Sequence, residues 1–286
     1  MSADLAAAEG FLLREARLLD RLRFVQRFRD GSAEGVVAAL LPYRNDDGGF
    51  GNALEPDLRG AASQPVPLEH AFRILDEVGA WDERIVERGC DWLRSVSTDA
   101  GGVPFVLETV ADGPHAPWWE ATGEAYVNPT AGIAGLLHKH GVAHEWVAVA
   151  TEYVWRTLEN VDGVGADDAI SVLVFLEHVP DRAHAEVVFD ALGARIRNDL
   201  VALDPSTTGY VKTPLEFAPR PDALARRLFD DATIGIHLDA LEAKQQDDGG
   251  WPITWEPPSV AAVNEWRGYV TIRSLDVLDA YGRIDR

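Results

Sequence analysis

The sequence predicts an all-α fold, an α/α toroid whose two concentric layers hold about five to six helix pairs. Three observations carry this. A Gly-Gly turn recurs along the chain, the helical segments between turns alternate between amphipathic and almost wholly apolar, and the period-two alternation of a β-strand is missing.

The turn appears first as Asn45-Asp46-Asp47-Gly48-Gly49-Phe50-Gly51 and again as Asp99-Ala100-Gly101-Gly102-Val103-Pro104-Phe105. Asp162-Gly163-Val164-Gly165 is a worn copy, and Gln245-Gln246-Asp247-Asp248-Gly249-Gly250-Trp251-Pro252 is the fullest. In such a turn glycine supplies positive φ or close backbone approach, Asp bonds the turn backbone, and the aromatic residue anchors the turn against the core. Apolar spacing predicts helices over 3–20, 31–41, 67–79, 82–97, 129–140, 143–159, 168–178, 182–200, 222–244 (with a break near Asp230) and 265–281. Trp146, Ala150, Tyr153, Val154 and Leu158 form one stripe, so 143–159 is amphipathic. Residues 168–178 are apolar nearly all round, as in a helix buried on every side. No linker rich in Pro, Gly and Ser divides the chain, so 1–286 reads as a single domain. The longer loops, 45–66, 101–128, 204–221 and 251–264, follow the turns and are expected to gather at one end of the barrel.

Bulk properties narrow the function. The 286 residues are 47% hydrophobic, enough for a sizeable core. No run of eighteen apolar residues exists, so no stable membrane insertion is expected. The first residues lack a basic start, and Glu9, Arg14 and Glu15 interrupt the apolar run, which reads as an amphipathic helix rather than a signal peptide. A cytoplasmic location is expected. Cys90 is the only cysteine, which excludes an internal disulfide and a multi-cysteine zinc site. His70, His115, His138, His140 and His237 show no metal-ligand spacing, and neither a metal nor a cofactor is predicted. A net charge of −21, from 47 acidic and 26 basic residues, repels nucleic acid and anionic lipid. Neither a GxSxG elbow nor a phosphate-binding glycine loop is present. Nothing sets the oligomeric state.

Gln246-Asp247-Asp248-Gly249-Gly250-Trp251 resembles the QW repeat of squalene-hopene cyclases and related terpenoid cyclases and prenyltransferases. The last helix, from Thr271 to Gly282, is similar to the inner helix that follows such a repeat, and Asp46–Gly51 is a further likeness. The resemblance covers most of the chain. It implies the toroid, with the QW element as a structural clamp. In protonation-initiated members a DxDD motif supplies the acid. Here Gly165-Ala166-Asp167-Asp168 stands at the matching helix start, with Gly165 in place of the first Asp. Asp167 would align with the acid and Asp168 with the last Asp. Asp230-Asp231 is a second partial match, whereas DDxxD and the Asp, Cys and His zinc triad have no counterpart.

Candidate residues have structural readings too. Asp167 and Asp168 suit the first turn of a helix as cap and dipole partner, a reading favoured over general acids. Glu55, Asp57 and Arg59 alternate in an extended stretch, either as an internal ion cluster or as a polar group at a cavity entrance. Trp118, Trp119, Trp251, Trp255 and Trp266 supply five of the nine tryptophans, as core anchors or as a pocket lining. Glu256 with Glu120, Glu265 or Asp57 could form the carboxylate pair of a glycosidase. Glu265-Trp266-Arg267 is expected to open the last helix, where Arg267 could grip a polar head group. Asn128-Pro129 is expected to cap another helix.

The leading expectation is a terpenoid-cyclase-like enzyme with a small apolar or amphiphilic substrate, an isoprenoid or similar, in an aromatic-lined cavity. Asp167 and Asp168 would be its acid pair. The substrate would meet Glu55, Asp57, Arg59, Trp118, Trp119, Trp251, Trp255, Glu256 and Arg267. A carbohydrate-active enzyme using Glu and Asp of the loops, or a non-catalytic binding module, remain alternatives.

Overall fold

The computed structural model describes residues 3–285 and is helical throughout, with only isolated β-bridges among the described residues. It divides into two compact units. One is continuous, residues 40–198; the other joins residues up to 39 with those from 199 onward.

In the continuous unit, α4 (Pro65–Glu77), α6 (Val127–Lys139) and α8 (Ala166–His178) pack in sequence as one row. Helices α5 (Glu83–Val96) and α7 (Glu145–Thr157) pack against that row and against each other, and α9 (Arg182–Arg195) lies on α8. Small residues set the closeness of the first row. A Cβ on Gly135 would stand 2.6 Å from the backbone of Val174. One on Gly132 would meet the Glu69 carboxylate at 2.0 Å. As expected, α8 exposes no residue between Asp168 and His178 beyond the half-buried class. Asn128 is non-helical (φ −101°, ψ 118°), so the regular turns of α6 begin at Pro129, where the sequence places them.

In the other unit, α1 (Leu5–Glu15), α2 (Leu18–Phe28) and α12 (Val260–Ala280) pack on one another; α11 (Asp231–Ala243) contacts α12 and the short α10 (Pro214–Phe217). Helix α3 (Ala33–Leu40) ends at the boundary. Three sequence expectations need correction here. The helix expected over 3–20 is two helices, because Ala16 and Arg17 are extended. The Ala16 carbonyl accepts from Arg21 Nε at 2.7 Å, and α12 comes so close that a Cβ on Gly268 would lie 2.8 Å from the Ala16 methyl. Second, residues 21–28 continue α2 although apolar spacing places them in no helix, because charge obscures their apolar stripe. Asp20 of α2 is wholly buried between Arg17 (2.8 Å) and Arg23 (3.1 Å), and buried charge persists only when paired. Third, the last helix starts at Val260, not 265: Ser259 caps it by accepting from the Ala262 N–H at 3.2 Å. The break expected near Asp230 is present, with Asp230 capping α11.

The repeated turn has one geometry in three places. In each, the residue at position one bonds the second glycine's carbonyl: Asn45 to Gly49, Thr98 to Gly102 and Gln246 to Gly250. The first glycine has φ of +98°, +93° and +95° at Gly48, Gly101 and Gly249, values only glycine adopts without strain. Each pair sits on a helix at two positions four apart, Arg88 and Trp92 of α5, Val149 and Tyr153 of α7, and Ala7 and Phe11 of α1. The first glycine approaches the backbone and the second lies on the ring. The worn copy at Gly163 has no such neighbour within 4 Å. Among the described residues no helix is long and apolar enough to cross a membrane.

Candidate functional site

Two long loops of the continuous unit are tied together. The Arg59 N–H donates to the Pro114 carbonyl (2.9 Å) and the Ala116 N–H to the Asp57 carbonyl (3.0 Å), with Leu58 bridged to His115. Gln64 fixes the base: its Oε1 accepts from the Leu107 N–H at 2.7 Å and its Nε2 donates to Thr109 Oγ1 at 2.9 Å. Gly60 and Gly113 touch where the strands of loop cross; a Cβ on Gly113 would stand 2.5 Å from Gly60 Cα.

This fold of loops buries Glu55 and Asp57, which are 1% and 2% exposed. The Asp57 N–H donates to Glu55 Oε1 at 3.3 Å, and Arg59 donates to the Pro56 carbonyl at 3.1 Å. Beside them lies an apolar cluster of Leu58, Val66, Val106, Val110, Ala116 and Trp119, with Phe105 against it. The Phe105 and Trp119 rings are 4.8 Å apart. The Trp119 indole N–H is buried without a hydrogen-bond partner among the described residues. Trp118 points out, 47% exposed, and Glu120 is exposed as well. A void of about 10 Å³, lined in part by Leu58, Gln64, Thr109 and His115, lies in these loops; it has room for one water. An open groove of about 490 Å³ flanks the first Gly-Gly turn, lined by Asn45, Asp46, Asp47, Ser63, Trp92 and Thr109 among others. Gln64 and Thr109 escape the sequence reading, and His115 enters it only as a histidine without metal spacing, because each acts through a partner more than forty residues away.

Asp167 and Asp168 open α8. Asp167 is exposed. Asp168 Oδ2 accepts from the Gly165 N–H at 3.0 Å, which is the cap geometry. Burial pushes its carboxyl above the ordinary range, against the lowering effect of that hydrogen bond.

The remaining sequence candidates belong to the other unit. Trp251 is buried at 1% exposure. Its indole donates to the Leu241 carbonyl at 2.8 Å, and its N–H to Thr271 Oγ1 at 3.0 Å. Arg267 is committed to the turn: it holds Asp248 through two bonds of 2.8 Å and Gln246 at 2.6 Å, with its guanidinium 4.5 Å from the Phe11 ring centroid. It stands seven residues inside α12, not at its start. Trp255 is half-buried and Glu256 exposed. Trp255 packs on Tyr210 and Trp266, two rings that join it only through the fold. The candidates therefore fall into three groups: the Glu55–Trp119 loops, the α8 start, and the Trp251–Arg267 region.

No protein-family model and no curated protein matches the chain. A crystal structure of a protein from Actinoplanes is similar over 98% of this chain and 100% of that one, with a TM-score of 0.61 and 18% identity. At that identity the likeness speaks for a shared fold alone.

Proposed function

We propose that the chain is an enzyme acting on a small apolar or amphiphilic molecule, an isoprenoid or one like it, with Glu55 and Asp57 as its acid–base pair. One observation carries the reading: two carboxylates two residues apart are almost wholly buried beside an aromatic and aliphatic cluster that includes Trp119 and Phe105. Buried charge is costly, so a protein keeps such a pair for ion pairing or for chemistry. Water exclusion around carboxyl groups suits proton transfer to a weakly basic apolar substrate, and nearby aromatic faces stabilise positive charge that develops there. The isoprenoid substrate is suggested by the likeness of Gln246–Trp251 and Asp46–Gly51 to the QW repeat of terpenoid cyclases, an element that speaks for fold rather than for catalysis. Asp168 suits the acid role less well, since one carboxylate oxygen caps its own helix.

The test is product analysis by gas chromatography after incubation with prenyl diphosphates and linear polyprenes. Glu55→Gln and Asp57→Asn are expected to lower turnover by about 100-fold or more, while Asp168→Asn retains it. Full turnover in both loop variants, with circular dichroism unchanged, would sink the assignment. A carbohydrate substrate is the second reading, favoured by the open groove with Asp46, Asp47, Ser63 and Trp92. Thermal stabilisation by oligosaccharides and not by isoprenoids would select it.

A further inference from the structure

The unit formed by the two chain segments carries an aromatic run that the proposed chemistry does not use. Tyr210, Trp255, Trp266 and Tyr269 meet in order, with centroid separations of 5.9, 5.0 and 5.5 Å. Each ring stands at nearly a right angle to the next, at 89°, 83° and 87°. Where the edge of one ring meets the face of another, their free faces enclose a corner. Tyr210 is 58% exposed and the other three are half-buried, so the run reaches the surface.

The chain already places cations on both end rings. Lys212 Nζ lies 4.3 Å from the Tyr210 centroid, and the Arg23 guanidinium 5.5 Å from that of Tyr269. The two indoles between them, the ring type that attracts cations best, are met edge to face by their neighbours. The Trp266 N–H is buried without a hydrogen-bond partner among the described residues, so packing alone holds that ring. Glu256, next to Trp255, is exposed, and the net charge of −21 draws cations towards the surface.

We propose that the corner between Trp255 and Trp266 is a binding site for a quaternary ammonium group. Mutually perpendicular aromatic rings present several π-faces to one rounded cation, and a methylated ammonium, weakly hydrated and spherical, fills such a corner better than lysine does. The anionic surface supplies long-range attraction, and the ring faces supply selectivity for the cation over a neutral molecule of the same shape.

The experiment is calorimetric titration of the full chain with choline, and in parallel with 3,3-dimethyl-1-butanol, its uncharged isostere, at fixed ionic strength. Choline is expected to bind about tenfold more tightly than the isostere, or tighter still. Trp255→Leu is expected to abolish the preference, and Trp255→Phe, which keeps a π-face, to restore part of it. Far-ultraviolet circular dichroism confirms that each variant is folded. Equal affinity for choline and the isostere, no heat with either, or an undiminished preference in folded Trp255→Leu would overturn the proposal.

Discussion

The Gly-Gly turn at 246–251 and its counterparts at 45–50 and 98–103 share a backbone but not a set of side chains. All three put a glycine of φ near +95° against a helix backbone and a second glycine on an aromatic ring one turn further along that helix. The first of these turns in the chain adds Asp47, which accepts from the Gly49 N–H at 2.8 Å and from Ser63. The last adds Asp248, which bonds Gly250 in the same way but is also gripped by Arg267. The middle one has Ala100 there and Val103 where the others carry Phe50 and Trp251. The glycine pair and the helix it sits on are thus the constant part, and the charged clamp is an addition made most heavily at 246–251.

The sharpest way to break that comparison is to give the glycines a side chain. Gly249→Ala would force a Cβ to 2.1 Å from the Ala7 carbonyl oxygen at a φ of +95°, at a cost of roughly 3 kcal/mol or more. Gly101→Ala meets first a methyl of Val149 at 2.8 Å, which can move, so its cost should be nearer 1–2 kcal/mol. Urea unfolding followed by circular dichroism reads both. Equal costs would mean that the backbone contact is not what distinguishes the two sites.

A smaller effect should come from the clamp. Arg267→Met removes the hold on Asp248, which is itself 44% exposed at the side chain, and should lower stability by about 1 kcal/mol at neutral pH. The Arg267 guanidinium, more than any other group, holds the Asp248 carboxyl below the usual range. A depressed carboxyl contributes its stability above the unfolded value of about 4 and loses it as pH falls through the folded one. Wild type and Arg267→Met should therefore converge in denaturant midpoint on acidification below about pH 4. A gap that persists at that acidity would assign the loss to packing on Phe11 instead. The smallest expected change is a gain: Ala100→Asp supplies the missing acceptor for the Gly102 N–H and should stabilise by about 0.5 kcal/mol.

The turn shows how far the sequence could be read. Its glycines, Asp248 and Trp251 are legible because turn chemistry is local. The helix it seats on is not, since Gly249 meets Ala7 and Gln245 bonds Asp4 across 241 positions, and no local pattern encodes that pairing. Arg267 shows the same limit: its type is visible, but its engagement by Asp248 is tertiary. The split between α1 and α2 was hidden because Gly268, far along the chain, sets the approach at Ala16. In the loops, alternation singled out Glu55 and Asp57, but only the bridge from Leu58 to His115 reveals that they are buried rather than solvated.

The discontinuous unit has a consequence for the order of events on the ribosome. Helices α1 and α2 are made before residues 40–198, yet the helix they pack against, α12, and the turn that seats on Ala7 and Phe11 are made after them. Residues 40–198 are contiguous, so they can complete their contacts while α1 and α2 still lack theirs. Throughout the synthesis of residues 40–198 the apolar face of α1, with Phe11 and Leu12 at its centre, is left for a chaperone or for collapse onto neighbouring chain, and it reaches its native partner only once residues 246–280 have emerged.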